Sequence, residues 1–294
     1  MSSSEGASSV LFDGTRCIGC RSCSVACKSW NRRPEDMDEK VSVEGGIEGK
    51  ATLSAKTFTF MRYREIGEGD NLKWAFVKIQ CMHCLEPACA TACIVGALRR
   101  EEETGAVVYK REKCIGCRYC MVACPFGIPC YEWEKPSPWI KKCTFCADRQ
   151  HGNEAEGSLE PACESACPTG ALKFFKNTED ASGRDLAIEE AKRRFAAAPD
   201  RYHKDEDGNL HIYGEHEAGG TGWMYIFPSS VSPEDMDMPD VTDEAVPKNA
   251  RKAMGTLPYY AIGVIGLMAG IYWVTKRRQK REKAAAGAGE KKEG

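Results

Sequence analysis

Between Asp180 and Ala198 the apolar positions Ile188, Ala191 and Phe195 recur at helical spacing, which predicts a packing helix that Pro199 ends. Gly222-Trp-Met-Tyr-Ile-Phe227 is a continuous apolar run and predicts a strand. From Ser232 to Glu244 the chain turns polar, with six acidic residues and two prolines, as a linker does. The strongest hydropathy signal follows. Ala253 to Thr275 holds 23 uncharged residues, enough to cross a bilayer core. Tyr259 and Tyr260 at one end, and Tyr272 and Trp273 at the other, stand where interfacial aromatic belts belong. A buried core helix is the alternative, and charge on both flanks argues against it.

The rest of the chain is punctuated by cysteine. Sixteen of the seventeen fall into four groups of four: Cys17, Cys20, Cys23, Cys27; Cys81, Cys84, Cys89, Cys93; Cys114, Cys117, Cys120, Cys124; and Cys143, Cys146, Cys163, Cys167. The first and third have the Cys-x2-Cys-x2-Cys-x3-Cys spacing of bacterial ferredoxins, and Pro125 and Pro168 supply the Cys-Pro ending in the third and fourth. The second widens one gap to four residues, and the fourth inserts sixteen residues between Cys146 and Cys163. Cys17-Ile-Gly-Cys20 and Cys114-Ile-Gly-Cys117 are glycine-containing turns on which three thiolates can converge on one small cluster. The fourth cysteine of each run points elsewhere, toward a partner cluster.

A disulfide framework belongs to short secreted chains without a core, whereas this chain has 294 residues. A structural zinc takes two separated pairs, not three cysteines in seven residues closed by a fourth. Four complete quartets therefore predict four iron-sulfur clusters of the 4Fe-4S type. Cys130 is left over and is expected to be a small thiol with no ligand role.

Charged residues make up 29% of the chain and the formal net charge is -2, which argues for neither a nucleic-acid partner nor an acidic scaffold. Basic residues nonetheless flank the motifs: Arg16, Arg21, Lys28, Arg32, Arg33, Lys110, Arg111, Lys113, Arg118, Lys141 and Lys142. They either offset the negative charge of buried clusters, raising reduction potentials, or form a solvated surface.

Three Lys or Arg precede the apolar segment (Lys248, Arg251, Lys252) and eight follow it (Lys276, Arg277, Arg278, Lys280, Arg281, Lys283, Lys291, Lys292). The asymmetry predicts a single-pass inner-membrane anchor with a cytoplasmic tail and a periplasmic cluster domain. Met1 to Ser9 has no apolar stretch, and Arg32-Arg33 precedes no hydrophobic region, so no export signal is read in the chain. A partner with its own signal is then expected to carry the folded domain across. Gly263, Gly266 and Gly270 offer a smooth helix face. The span contains no histidine, so a membrane haem or quinone site is expected on another subunit.

Catalytic motifs are missing. Gly45-Gly-Ile-Glu-Gly-Lys50 is one residue short of a phosphate loop and Ala51 stands where a magnesium-binding hydroxyl belongs. There is no dinucleotide fingerprint. His83, between Cys81 and Cys84, is expected behind the ligands or on the surface and not as a ligand.

The chain resembles the iron-sulfur (beta) subunit of membrane-bound formate dehydrogenase. The resemblance rests on Cys17-Ile-Gly-Cys-Arg-Ser-Cys-Ser-Val-Ala-Cys-Lys-Ser-Trp-Asn31, Leu53-Ser-Ala-Lys-Thr-Phe-Thr-Phe-Met-Arg62, Cys81-Met-His-Cys84, Cys124-Pro-Phe-Gly-Ile-Pro129, Lys142-Cys-Thr-Phe-Cys-Ala-Asp-Arg149, Pro168-Thr-Gly-Ala-Leu172, Gly219-Gly-Thr-Gly-Trp-Met-Tyr225 and the C-terminal span. It covers roughly residues 10 to 275. Spacing alone leaves the pairing of the groups open, with 20 residues between the second and third and 18 between the third and fourth. The resemblance implies a nested pairing: cluster A on Cys17, Cys20, Cys23 and Cys167; cluster B on Cys143, Cys146, Cys163 and Cys27; cluster C on Cys81, Cys84, Cys89 and Cys124; cluster D on Cys114, Cys117, Cys120 and Cys93. Lys28 and Ile94 stand where proline would follow the first and second groups, which alters local turns but removes no ligand.

The implied fold is α+β: two ferredoxin-like units related by a pseudo-twofold, each with two clusters, plus one transmembrane helix. The outer unit would take residues 1–75 and 136–180, the inner 76–135, a docking extension and acidic linker 181–252, the anchor 253–275 and the basic tail 276–294. The implied function is non-catalytic electron transfer from a molybdopterin (molybdenum or tungsten) catalytic subunit to a membrane cytochrome b and the quinone pool. The equivalent subunit of a membrane-bound hydrogenase or of another molybdopterin reductase is the alternative, and a zinc-binding, membrane-anchored assembly module the rival of another class.

Overall fold

The computed structural model describes residues 7–31, 52–133, 135, 138–152 and 159–289, the side chains of 249 and 283–289 excepted. Arg32-Arg33 and Gly45 to Ala51 lie outside the described residues. Two compact units meet at the Pro247–Lys248 bond.

In chain order the first unit runs β1 (Ser9–Asp13), α1 (Ser22–Asn31), β2 (Thr59–Ile66), β3 (Lys73–Gln80), α2 (Ala88–Thr91), β4 (Leu98–Arg100), β5 (Val107–Tyr109), α3 (Tyr119–Ala123), β6 (Cys130–Tyr131), β7 (Ile140–Lys141), α4 (Ala147–Gln150), α5 (Ala162–Ser165), β8 (Leu172–Phe175), α6 (Gly183–Ala197) and β9 (Trp223–Ile226). It ends where α7 (Val246–Gly289) begins.

The core is organised by β1, the middle strand of a three-stranded sheet that pairs antiparallel with β8 and parallel with β9. All five residues of β1 are buried, so both faces of the sheet must be covered. Strand alternation divides them. Val10, Phe12, Trp223 and Tyr225 face the core that holds Cys23, Cys143 and Cys163, whereas Leu11, Met224 and Ile226 pack under Ala187 and Ala191 of α6. The apolar run at 222–227 is thus a strand buried on both sides. The helix expected from Asp180 starts three residues later, and Ile188, Ala191 and Phe195 pack where their spacing put them.

A buried ion network ties α6 to β1. Arg194 Nη1 donates to Asp13 Oδ2 at 2.8 Å and Arg194 Nε to Glu190 Oε1 at 2.9 Å, with the Asp13 side chain fully buried. β2 and β3 form a long antiparallel hairpin from Thr59↔Gln80 to Ile66↔Lys73. β4–β5 and β6–β7 are separate two-stranded ribbons.

The acidic stretch expected to be a linker is packed down. Met236 is fully buried and Met238 nearly so, and Arg62 Nη1 donates to the carbonyls of Met236 (2.6 Å) and Asp237 (2.8 Å). Arg64 pairs with the Asp237 carboxylate. Two methionines supply the burial and two arginines offset the acid, which a count of acidic residues and prolines does not register.

The second unit holds α7 from Lys248 onward, and the helix is continuous through Pro258. It is longer at both ends than the 253–275 segment, and Val246–Glu282 is long and apolar enough to cross a membrane. Its described side chains from Lys248 to Glu282 are exposed.

Candidate metal centres

Each cysteine group leads through a turn into a short helix. In the first group Cys17 and Cys20 flank the turn and Cys23 and Cys27 lie on α1; in the third, Cys114 and Cys117 flank the turn and Cys120 lies on α3. Gly19 and Gly116 hold equivalent places with φ of +66° and +72°, a left-handed conformation that glycine adopts without penalty. A Cβ on Gly19 would stand 2.8 Å from the Phe76 ring, and one on Gly116 3.0 Å from Tyr131 Oη. The residues after the second cysteine, Arg21 and Arg118, are also left-handed, and their guanidinium groups lie 4.8 Å and 5.6 Å from the ring centroids of Tyr63 and Tyr131.

The thiols fall near one another in sets. Burial pushes Cys17 up to about 12, and the neighbouring thiolates of Cys23, Cys167 and Cys20 push the same way. A small cavity of about 20 Å³ is lined by Cys17, Cys20, Cys23 and Cys167 together with Lys78. Cys27 is driven well above its ordinary range by burial and by Cys143, Cys163 and Cys146. Cys84 is raised likewise by burial and by Cys81, Cys124 and Cys89. Burial raises Cys120 to about 11, with Cys93, Cys114 and Cys117 adding to it. Between sets, Cys163 bears on Cys23, Cys81 on Cys143, and Cys120 on Cys89.

These donors suit clusters better than single ions. Among the described residues no three Cys, His, Asp or Glu side chains close on one point, as ligands about 2.3 Å from a single zinc must. Buried thiols with raised pKa stay protonated at neutral pH, so metal loading releases their protons. Backbone N–H groups are in place to stabilise the thiolates: Ala97 donates to Cys93 Sγ at 3.2 Å, and Gly116 to Cys114 Sγ and Phe145 to Cys143 Sγ at 3.4 Å each. Cys20 is lowered, chiefly by the Ser22 hydroxyl, and is exposed. Cys130 lies on β6 and donates to the Ile128 carbonyl at 3.4 Å.

Most of the flanking basic residues are surface groups: Arg16, Lys28, Arg111, Lys113 and Arg118 are exposed, and Arg21, Lys110 and Lys141 half-buried. Lys142 is different. It is buried, donates to the carbonyls of Val107 and Cys143, and lowers the Cys89 thiol against the opposing effect of burial. His83 is buried too, which removes the surface alternative. Its Nδ1 accepts the Val107 N–H at 3.0 Å and its ring stacks on Phe145 with centroids 4.7 Å apart. Burial, then Lys142 and Lys78, hold it well below the usual histidine range, so it is neutral.

Lys78 went unread in the sequence. The available signal was a lysine in the middle of Ala75-Phe-Val-Lys-Ile79, a place on a buried strand where a charge is expensive without a partner.

The fold and the thiol sets together define a ferredoxin-type carrier of 4Fe-4S clusters. A family model described as a 4Fe-4S dicluster domain matches residues 72–177. Hydrogenase-2 operon protein HybA of Escherichia coli O157:H7 is 31% identical over 94% of this chain and 86% of its own length. The nitrate-inducible formate dehydrogenase iron-sulfur subunit of Escherichia coli K12 is 36% identical over 76% of this chain and 69% of its own length. The formate dehydrogenase iron-sulfur subunit of Haemophilus influenzae is 36% identical over 76% of this chain and 65% of its own length. The chain belongs to this family of ferredoxin-like iron-sulfur subunits, and it is an electron-transfer subunit.

Proposed function

We propose that this chain relays electrons one at a time through four 4Fe-4S clusters, from a molybdopterin catalytic subunit of the formate dehydrogenase type to a membrane cytochrome b and the quinone pool. Cluster A takes Cys17, Cys20, Cys23 and Cys167; cluster B takes Cys143, Cys146, Cys163 and Cys27; cluster C takes Cys81, Cys84, Cys89 and Cys124; cluster D takes Cys114, Cys117, Cys120 and Cys93. The observation that carries this assignment is the cavity lined by Cys17, Cys20, Cys23 and Cys167, thiols from the first and last groups of the chain. The thiol neighbours of Cys27, Cys84 and Cys120 support the other three sets. The charge interactions of Cys23 with Cys163, Cys143 with Cys81 and Cys89 with Cys120 support the order A, B, C, D. Cys20 and Cys117, at opposite ends of that order, are exposed and suit electron entry and exit.

When bound, each cluster takes up and releases one electron. The chain's residues supply thiolates, N–H donors to sulfur and a core that keeps water away. A pseudo-twofold between an outer unit (1–75 and 136–180) and an inner unit (76–135) is supported by the matching Gly19 and Gly116 turns and by the packing of α1 on α5 and α2 on α3. Residues 181–252 would dock partners, α7 would anchor the chain in the inner membrane, and the excess of Lys and Arg after the span supports a cytoplasmic tail and a periplasmic cluster domain.

Purified chain is expected to be brown, with about sixteen irons and matching sulfide. A colourless protein holding only zinc would overturn the reading. A hydrogenase partner is the second reading, favoured by the longer span of the match to HybA. Copurification separates the two: a molybdopterin subunit supports the first, and a nickel-iron subunit the second.

A further inference from the structure

The side chain of Lys78 on β3 is 1% exposed, and the charges that bear on it are thiolates from two groups: Cys163 and Cys143 of the fourth, Cys23 and Cys27 of the first. It also lines the cavity shared by Cys17, Cys20, Cys23 and Cys167. Its surroundings suit a charged ammonium. Lys78 Nζ donates to Gln80 Oε1 at 2.9 Å and stands 4.3 Å from the centroid of the Trp223 ring, whose face attracts cations. The Gln80 amide is turned by Tyr225: its Nε2 donates to the tyrosine Oη at 2.5 Å, leaving Oε1 for the lysine, and the tyrosine hydroxyl donates to the Lys78 carbonyl at 3.1 Å. Burial disfavours the ammonium, and Cys163, Cys23, Cys143 and Cys27, thiolates once they hold a cluster, oppose that.

A buried ammonium whose largest charge interactions are with thiol ligands needs a counter-anion. Each 4Fe-4S cluster with four thiolates is a net anion, and reduction by one electron makes it more negative. We propose that Lys78 is a shared positioning cation that stabilises the reduced states of clusters A and B together, making this half of the wire easier to reduce. The proposal rests on the interleaved ligand sets given above. Lys142 does not substitute for it, because that ammonium is directed at the Val107 and Cys143 carbonyls.

The test is a redox titration followed by electron paramagnetic resonance on the full chain with its clusters in place, comparing wild type with Lys78→Met, Lys78→Gln and Lys78→Arg. Cluster A and B signals are identified as those altered by Cys20→Ser and Cys27→Ser. Both neutral variants are expected to weaken reduction of A and B at least tenfold, about 59 mV for a one-electron couple, and to leave C and D in place. Lys78→Arg is expected to restore most of the shift, which a merely structural role would not do. Should Lys78→Met fail to hold its clusters, Lys78→Gln, which keeps a hydrogen bond to Gln80, gives the reading. Neutral variants with full iron and four unchanged potentials overturn the proposal. Wild-type chain with fewer than four clusters, or with signals that do not follow the assigned ligands, overturns the ligand sets instead.

Discussion

Gly19 and Gly116 occupy the same place in the first and third cysteine groups, with φ of +66° and +72°, and each is followed two residues later by a left-handed arginine stacked on a tyrosine. Their settings differ. The first group leans on the β2–β3 hairpin, where Tyr63, Trp74 and Phe76 pack edge to face or tilted, and behind it lies a sheet strand buried on both faces. The third leans on the two-residue strand β6 and leaves Tyr119 and Trp133 exposed, in addition to Ile115 and Val122, whose counterparts Ile18 and Val25 are exposed in the first group as well. A repeated motif thus reproduces the turn that presents the thiolates, while the surroundings decide packing and charge. The difference also places a wholly buried cation, Lys78, beside the first and fourth groups.

The strongest way to break the contrast is to remove what braces β1. Arg194→Met would leave the Asp13 carboxylate buried without its 2.8 Å partner, and is expected to destabilise the chain by about 3–5 kcal/mol, read by denaturant unfolding of the full chain. The turns come next. Gly19→Ala is expected to cost about 2 kcal/mol and Gly116→Ala about 1 kcal/mol, because the added Cβ meets a packed Phe76 ring in one case and the tip of Tyr131 in the other. Equal losses of stability in the two variants would sink the idea that the first turn is packed more closely than the third.

Acid should weaken the same brace. Arg193 first, and Arg194 after it, hold the Glu190 carboxyl down to about 2 from an ordinary 4.5. Its contribution to stability is therefore present above pH 4.5 and lost as pH falls through about 2. A Glu190→Gln chain should show a shallower loss over that window in thermal melts, and an unchanged slope would dismiss the carboxyl as the cause. The smallest effect belongs to the exposed third group. Trp133→Ala removes a ring 5.1 Å from the Arg118 guanidinium, and should cost only about 0.5 kcal/mol by the same denaturant measurement.

Much of the site was legible because cluster ligation imposes spacing on a single residue type. The Cys-Ile-Gly-Cys turns, the helix before Pro199 and the apolar strand at 223–226 all rest on local pattern, and they formed within a few residues of where the pattern put them. The acidic stretch at 232–244 was less legible, since Met236 and Met238 anchor it through contacts with residues over 150 positions away, Arg62 among them. Lys78 and His83 were opaque for the same reason: a lysine or histidine gains its role from what is folded around it.

The cysteine spacing by itself determined the chemistry of this chain, because four thiolates in each ferredoxin-type run leave little other use for them. The 253–275 segment by itself determined that the chain carries a helix long and apolar enough to cross a membrane. Only the tertiary structure decided which thiols lie near which, since Cys17 and Cys167 meet across the strand pairing of β1 with β8. It also decided where charge is buried. Local pattern dictates backbone conformation, but a thiolate or an ammonium in the interior feels every group the fold brings close, and those neighbours come from distant parts of the chain.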